Sequence, residues 1–587
     1  VRALNRLPAI VALFLLICVG CGGGGLSLVV FTYSTDWTGG LASLSQRIRL
    51  TDPLTGEFAE RLINNDTGSL QAIDFSPMRA KSYAITVTLY SQPNGNGSVL
   101  GLIGDLFSLR SSNKIYSTQV VGQASSVTVS PASASLQVNR SLRLYAVAKH
   151  ANGKTLFTPP GAFNWQALNG FASVNSEGIV IGVAQGQAVI RATDTGSGLQ
   201  NTSVIDVTPV STTTSKWTIL VFMNAANDLD QFSDLNINQM ERVANNADVR
   251  FVIQWKRVQA LGFGAPWTGT RRYRATFDQS TNNSWSGVAS ELIQDMGGGV
   301  DMGNRNTLRD FVNWGMTFYP AERYVVVIWN HGAGWFDDSQ KPAGTRGVSF
   351  DDEFFTFIKT TELSQALDTT ERIDVVSWDS SLMQMMEVGF EIKDRCDFMV
   401  GSEESPPVEG LPYDLVFGPL RDNPNQSTES MLEHFGTGML AFYGNTRKIT
   451  QSSVRTSQLA SLATSLDQLA LELIAQQGLW NAEIIAARQE AQAYSPESPS
   501  HPHYKDIWHL AFKLKEKIPN AAIDARCDAV MNALDAAVVH EAHNSLSANS
   551  HGLSIDFGPS SAPYWPNYSL LAFAVATNWN EWCQIAP

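Results

Sequence analysis

The sequence predicts a multidomain protein in which all-β sandwiches come first and an α/β/α sandwich follows. Three observations predict it. The chain has 587 residues, too many for one ordinary core. Its first third is built of short alternating apolar and polar runs separated by turn signals. After the Thr-rich stretch Ser211 to Lys216, the pattern changes to apolar strands alternating with helical segments.

Arg2 and Arg6 precede the apolar run Ile10 to Val19, and Cys18-Val19-Gly20-Cys21 follows. Charge, apolar run and small residues before a Cys are the layout of an export signal. The run is too short for a membrane span. The Cys at the cleavage point resembles a bacterial lipobox, which makes Cys21 the lipidation site of residues 1–21. Gly22 to Gly25 then starts a flexible tether over residues 22–30. The expected location is the bacterial cell envelope, on the outer membrane or cell surface, with the membrane as partner through the lipid.

Residues 31–123 read as one β-sandwich, with Ser82 to Tyr90 as a strand and Pro93 to Ser98 as the turn after it. Residues 126–209 give strands at regular spacing: Val127 to Pro131, Leu142 to Ala148, Phe163 to Trp165, Ala172 to Val174, Gly178 to Val180 and Ala188 to Ala192. Their order resembles the bacterial Ig-like group 2 repeat. Without cysteines, Trp165 and the aliphatic positions must hold such a sandwich together. A spacer is the favoured role, and adhesion the alternative.

Residues 210–216 are the linker, and residues 217–587 form the α/β part. Trp217 to Met223, Val249 to Trp255, Tyr324 to Trp329, Ile373 to Trp378, Phe398 to Gly401 and Leu553 to Phe557 are the strand candidates, with Asp228 to Ala244 as a helix. Two strand ends matter most. One runs into Asn330-His331-Gly332-Ala333-Gly334-Trp335, the other into Asp379-Ser380-Ser381-Leu382-Met383. Catalytic groups collect at the C-terminal ends of parallel strands, so the two ends are expected to share a crevice.

Several other patterns carry less. The net charge of -14 argues against nucleic-acid binding and only weakly favours cationic substrates. Cys396, Cys527 and Cys583 imply no disulfide framework, and Cys396 is expected at the wrong end of its strand to act as a nucleophile. The acidic residues of Asn224 to Asp230 lack the turn Gly and terminal Glu of an EF-hand. Calcium is therefore possible but has no motif behind it, no other cofactor is implied, and helix capping with a solvated acidic face is the favoured reading. His501, His503 and His509 read as a surface loop rather than a metal site. Leu459 to Leu473 place leucines on one face of a helix packed on the sheet.

Tyr319-Pro320-Ala321-Glu322-Arg323-Tyr324, then a strand, then Trp329-Asn330-His331-Gly332, resembles the block around the catalytic His of the clostripain family of cysteine peptidases. Asp379-Ser380-Ser381-Leu382-Met383 with Glu387 resembles its nucleophile block, and Gly401 to Glu404, Gly410 to Tyr413 and Ser550 to Ile555 continue the series. The resemblance implies the caspase-like version of the α/β/α fold. It also implies His331 as general base, with the N–H groups of Gly332 and Ser381 as oxyanion donors. Asp379 would hold a basic side chain at the cleavage position, with Glu403, or less readily Glu404, as a second negative charge. Helix capping is the competing role for Asp379.

One departure stands out: Ser381 occupies the position of the family's Cys. A hydroxyl needs a closely coupled base where a thiol is already partly ionised, so the activity expected is a weakened or lost endopeptidase directed at Arg or Lys bonds. The export signal, an opening Val1 that suits an alternative start codon, and the lack of a purification tag favour a serine encoded by the gene. The alternatives are a pseudopeptidase that captures basic peptides, and a true serine hydrolase using Ser381 and His331, for which the sequence names no third member and offers Ser380 as a competitor.

Overall fold

The computed structural model describes residues 28–38, 44–51, 58–65, 68–79, 82–109, 114–209, 213–258, 267–279, 288–336, 347–494, 503–562 and 565–587. The export signal, Cys21, most of the tether and His501 lie outside them. The described chain divides into two compact units: one takes residues up to 53, 58–126 and 147–160, and the other residues 127–146 and 161–587.

In the first unit, strand Ser45–Thr51 pairs on one side with Phe58–Asn64 and on the other with Ser82–Tyr90, which carries Val99–Ser108. A second sheet sets Leu28–Asp36 between Leu70–Arg79 and Lys114–Gln119, with Thr155–Leu156 added beyond. Period-two alternation sends one face of each strand inward. Phe31, Tyr33, Ile48, Ile85, Val87, Ile103 and Phe107 make the core.

The second unit opens with two small sheets. One holds Ser141–Arg143, Ile179–Gly182 and Ala172–Val174; the other holds Phe163–Ala167, Gly186–Asp194, Gln200–Thr208 and Ser133–Gln137. Leu136, Leu144, Val180, Ile190 and Ile205 fill the space between them, with Trp165 half-buried against them. Strand Gln200–Thr208, not anticipated from sequence, carries only alternate buried residues.

The rest of this unit is a nine-stranded sheet: β1 (Ser215–Ala225), β2 (Val249–Arg257), β3 (Gly269–Arg274), β4 (Glu291–Gly297), β5 (Ala321–Trp329), β6 (Ile373–Asp379), β7 (Cys396–Gly401), β8 (Thr450–Arg455) and β9 (Val538–His543). The order is β4-β3-β2-β1-β5-β6-β7-β8-β9. The five strands from β2 to β7 are parallel, and antiparallel pairs flank them at both edges. Successive residues serve opposite faces: Ile219, Val221, Val325 and Val327 enter one core, Leu220, Phe222, Val326 and Ile328 the other. Helices α1 (Asp230–Val243) and α2 (Arg305–Phe318) lie on the two faces, giving the three layers.

Three expectations are corrected. Ser554–Asp556 is not in the main sheet: it pairs antiparallel with Tyr504–Asp506 in a separate three-stranded sheet. His509 is not in a surface loop. Asp506 caps a helix over Ile507–Lys517 by accepting from the His509 N–H at 2.6 Å, and the buried ring accepts from the Gln492 N–H at 2.9 Å. Finally, α1 starts two residues later than expected, and Asp228 does not cap it.

Candidate active site

Strand order reverses between β1 and β5, and at such a switch point the chains leave a crevice at the C-terminal ends of the strands. Three connections open there: β1 into Asn227-Asp228, β5 into Asn330-His331, and β6 into Ser380-Ser381. Asn330 ties them together. Its N–H donates to the Asp379 carbonyl at 3.2 Å, its side-chain amide donates to the carbonyls of Asn224 and Phe350, and its Oδ1 accepts from the Phe350 N–H at 2.9 Å. An amide buried among backbone groups with both ends satisfied fixes the strand ends in register.

One cleft at this edge is lined by His331, Ser381, Ser380, Asp379, Pro407 and Gly410, among others. The structure thus brings His331, Ser381 and Asp379 to one place. Ser380 is 2% exposed and its Oγ has no hydrogen-bond partner among the described residues, whereas Ser381 is half-buried, so Ser381 is the more accessible of the two hydroxyls. The turn is strained: Leu382 has φ of 62°, in the left-handed region, which costs a branched residue roughly 1–2 kcal/mol. Gly332 lies close by, where an added Cβ would be 2.6 Å from the Ser381 carbonyl oxygen. The hairpin of Val348–Asp351 and Thr356–Ile358 is reached through the Ala333 N–H, which donates to Gly347 O at 3.0 Å.

His331 makes a contact that sequence reasoning missed. Its Nε2 lies 2.7 Å from Asp228 Oδ1. The sequence puts Asp228 in a capping or solvated acidic stretch, because a loop carboxylate 103 residues away carries no spacing signal toward a histidine. Burial, and after it the Asp228 charge, raises the Asp352 carboxyl, while His331 acts against them. The loop bearing Asp228 is anchored from below: Arg257 at the end of β2 is fully buried and donates to Asp230 Oδ1 at 2.7 Å and Asp234 Oδ2 at 3.0 Å.

Asp379 is buried at the floor. Its Oδ1 accepts from the Leu411 N–H at 3.0 Å and its Oδ2 from the Tyr413 hydroxyl at 2.8 Å. Burial pushes its carboxyl up to about 7, against those two hydrogen bonds. No helix starts at Leu382, so the capping role is corrected: the nearest helix, α3, spans Met386–Ile392. Gly410, at φ of 70°, passes so close that a Cβ there would be 2.7 Å from Asp379 Oδ1.

Glu403 is also corrected. It does not line this cleft: its Oε2 accepts from the Gly552 N–H at 3.2 Å, and burial followed by the Asp506 charge drives its carboxyl well upward. Glu404 lies outside the cleft too, 3.1 Å from Lys448 Nζ. Cys396 is the first residue of β7, beside Ile373 at the opposite end of β6 from Asp379, and burial raises its thiol to about 12. Six residues of strand, roughly 20 Å, keep it from the cleft.

The loop after His331 is clamped from the other side. Tyr504 donates its hydroxyl to Ala333 O at 2.7 Å, Thr360 Oγ1 donates to Gly334 O at 3.2 Å, and Trp335 Nε1 donates to Asp556 Oδ2 at 3.0 Å. Glu387, fully buried in α3, accepts from the Asp556 N–H at 2.9 Å and the Tyr568 hydroxyl at 2.8 Å, and burial lifts its carboxyl to about 8. Among the described residues no group of three or more His, Cys, Asp or Glu side chains is gathered to hold a metal ion.

Among curated proteins, the chain is 22% identical to clostripain from Hathewaya histolytica over 180 residues, 29% of this chain and 34% of that protein; the match spans about a third of the relative's length. Among solved structures, it is similar to an inactive zymogen C11 protease from Parabacteroides distasonis, at 17% identity and a TM-score of 0.49 over 63% of this chain and 99% of the other. It is also similar to a secreted C11 cysteine protease from Bacteroides thetaiotaomicron in complex with an irreversible peptide inhibitor, at 17% identity and a TM-score of 0.48 over 62% and 99%. The clostripain family model matches residues 221–584, well over half of the chain, and the protein belongs to the clostripain family.

Proposed function

We propose that this chain is an endopeptidase of the cell envelope that cleaves after Arg or Lys, slowed by the serine at position 381. His331 acts as base and proton donor, Ser381 as nucleophile, and the N–H groups of Gly332 and Ser381 receive the oxyanion. Asp379 takes the substrate's cation, because a neutral side chain there would leave a buried carboxylate without a counter-charge. The observation that carries this reading is the single cleft lined by His331, Ser381 and Asp379. Cys21 anchors the chain to the membrane through lipid, and the β-rich region before residue 210, with an Ig-like repeat over 126–209, serves as a spacer.

The test is hydrolysis of Arg- and Lys-terminated reporter peptides by the purified chain, S381C, H331A and D379N. Turnover in S381C that vanishes when H331A is added, with D379N losing the basic preference, supports the reading. Silence in S381C, or a basic preference untouched by D379N, overturns it. A second reading, a pseudopeptidase that binds basic peptides without cutting them, is favoured by one feature: the donors that hold Asp379, Leu411 and Tyr413, do not depend on the residue at 381. Peptide binding by the unmodified chain without any turnover would select it.

A further inference from the structure

The peptidase reading leaves a chemical gap. A hydroxyl attacks a carbonyl only when a base removes its proton as the bond forms, and that base must present an unprotonated nitrogen to it. An imidazole with neither ring nitrogen held can rotate and exchange tautomers, which serves a thiolate adequately and a hydroxyl poorly.

His331 is held. Asp228 Oδ1 lies 2.7 Å from its Nε2, and no other hydrogen bond to the ring forms among the described residues. Donation of Nε2–H to the carboxylate places the lone pair on Nδ1, the nitrogen left for the cleft. The two residues come from different strand ends, β1 and β5, on either side of the switch point, so their contact is set by the sheet and not by local sequence. Both ends are braced: Asn227 donates to Phe350 O at 3.0 Å, Asn330 bonds the same carbonyl, and the Arg257 pairs with Asp230 and Asp234 fix the start of α1 just beyond Asp228.

The competing view is an ordinary surface ion pair. The side chains are 29% and 61% exposed, and pairs that open to water contribute little to stability. Orientation does not need strong pairing, however. A peptide laid across the cleft would also cover His331 and remove the water that screens the pair.

We infer that Asp228 is the positioning residue that completes a Ser381–His331–Asp228 arrangement, so that this chain works as a serine hydrolase on a scaffold whose family uses cysteine. The inference rests on the peptidase reading above. The Ser381 Oγ–H proton passes to His331 Nδ1 as Oγ bonds the carbonyl carbon and the C=O pair moves onto oxygen. Collapse breaks the C–N bond, and the leaving amine takes the proton from His331. Water then adds to the ester, giving its proton to His331. Oγ departs as the acid forms and recovers that proton. Asp228 stays ionised throughout and stabilises the imidazolium.

The test uses the full purified chain. A fluorophosphonate probe, which labels activated serines, should modify Ser381, and labelling should slow roughly tenfold or more in D228N and be restored in part by D228E. In 15N-histidine spectra at pH 8, the His331 signal, assigned by its loss in H331A, should show the Nε2-protonated tautomer, with that preference lost in D228N. Equal labelling of the unmodified chain and D228N, or a tautomer unaffected by D228N, overturns the inference. If S381C cleaves Arg reporters as fast with D228N as without it while the probe ignores Ser381, the inference falls and the peptidase reading stands. If S381C cleaves nothing, it is the peptidase reading that falls.

Discussion

The Tyr413 hydroxyl donates to Asp379 at 2.8 Å, and among the described residues this is one of two hydrogen bonds that favour the charged form of a carboxylate with 7% exposure. Burial outweighs them and leaves the group half-ionised near pH 7, where a cation-binding carboxylate must be charged to work.

It follows that KM for Arg reporters, measured in S381C to give ample rate, should rise as pH falls from 8 to 6, approaching tenfold per unit. Tyr413→Phe removes a donor to the charged form and should move that loss to higher pH. A KM flat across this range in S381C would exclude Asp379 as the cation's partner.

Stability should follow the same groups with the sign set by proton uptake. Asp379 and Glu387 have folded values of about 7 and about 8, above their ordinary ones, so the folded state holds protons that the unfolded chain has already lost. Their contribution is full below about pH 4 and is lost as pH rises through 7 to 8. The urea midpoint should be higher at pH 5.5 than at 8.5, and Glu387→Gln, which keeps an acceptor for Asp556 N–H and Tyr568, should shrink the difference.

Arg257→Ala should cost about 3–5 kcal/mol in urea unfolding, because it strands two buried carboxylates. Adding Asp230→Asn and Asp234→Asn should return part of the loss. No recovery would mean that packing, not charge, is what Arg257 supplies.

Gly332→Ala in the S381C background should lower kcat by about a hundredfold, the scale of one lost oxyanion donor, since its Cβ must displace the Ser381 carbonyl. Gly299→Ala, where an added Cβ meets nothing within 4 Å, is the matched control and should change nothing.

The parallel centre of the sheet was legible because β1, β5, β6 and β7 carry apolar residues on both faces and β2 carries Val249, Phe251, Ile253 and Trp255 on one, and the site because His331 and Ser381 come two residues after two of these strands. The antiparallel flanks were not. Gly269–Arg274 reads Gly-Thr-Arg-Arg-Tyr-Arg, a charge pattern that sequence reading counts as loop, although it pairs with Val249–Arg257 on one side and Glu291–Gly297 on the other. Val538–His543 follows directly on a helix that ends at Ala537, without a turn residue to mark the change. Glu403 was misplaced because its partners, Gly552 and the Asp506 charge, come from segments about a hundred residues or more along the chain, and an acidic pair after a strand carries no signal toward them. Asp228 was missed for a different reason: its partner is chosen by strand order, which only the folded sheet reveals.

The half-buried side chain at position 381 sits on a turn whose strain falls on the next residue, Leu382, and it makes no side-chain hydrogen bond among the described residues. Exchange between oxygen and sulfur at that point therefore leaves the architecture untouched. Some serine codons differ from a cysteine codon by a single nucleotide, so a lineage that carries one crosses between the two nucleophiles and back without passing through a misfolded ancestor.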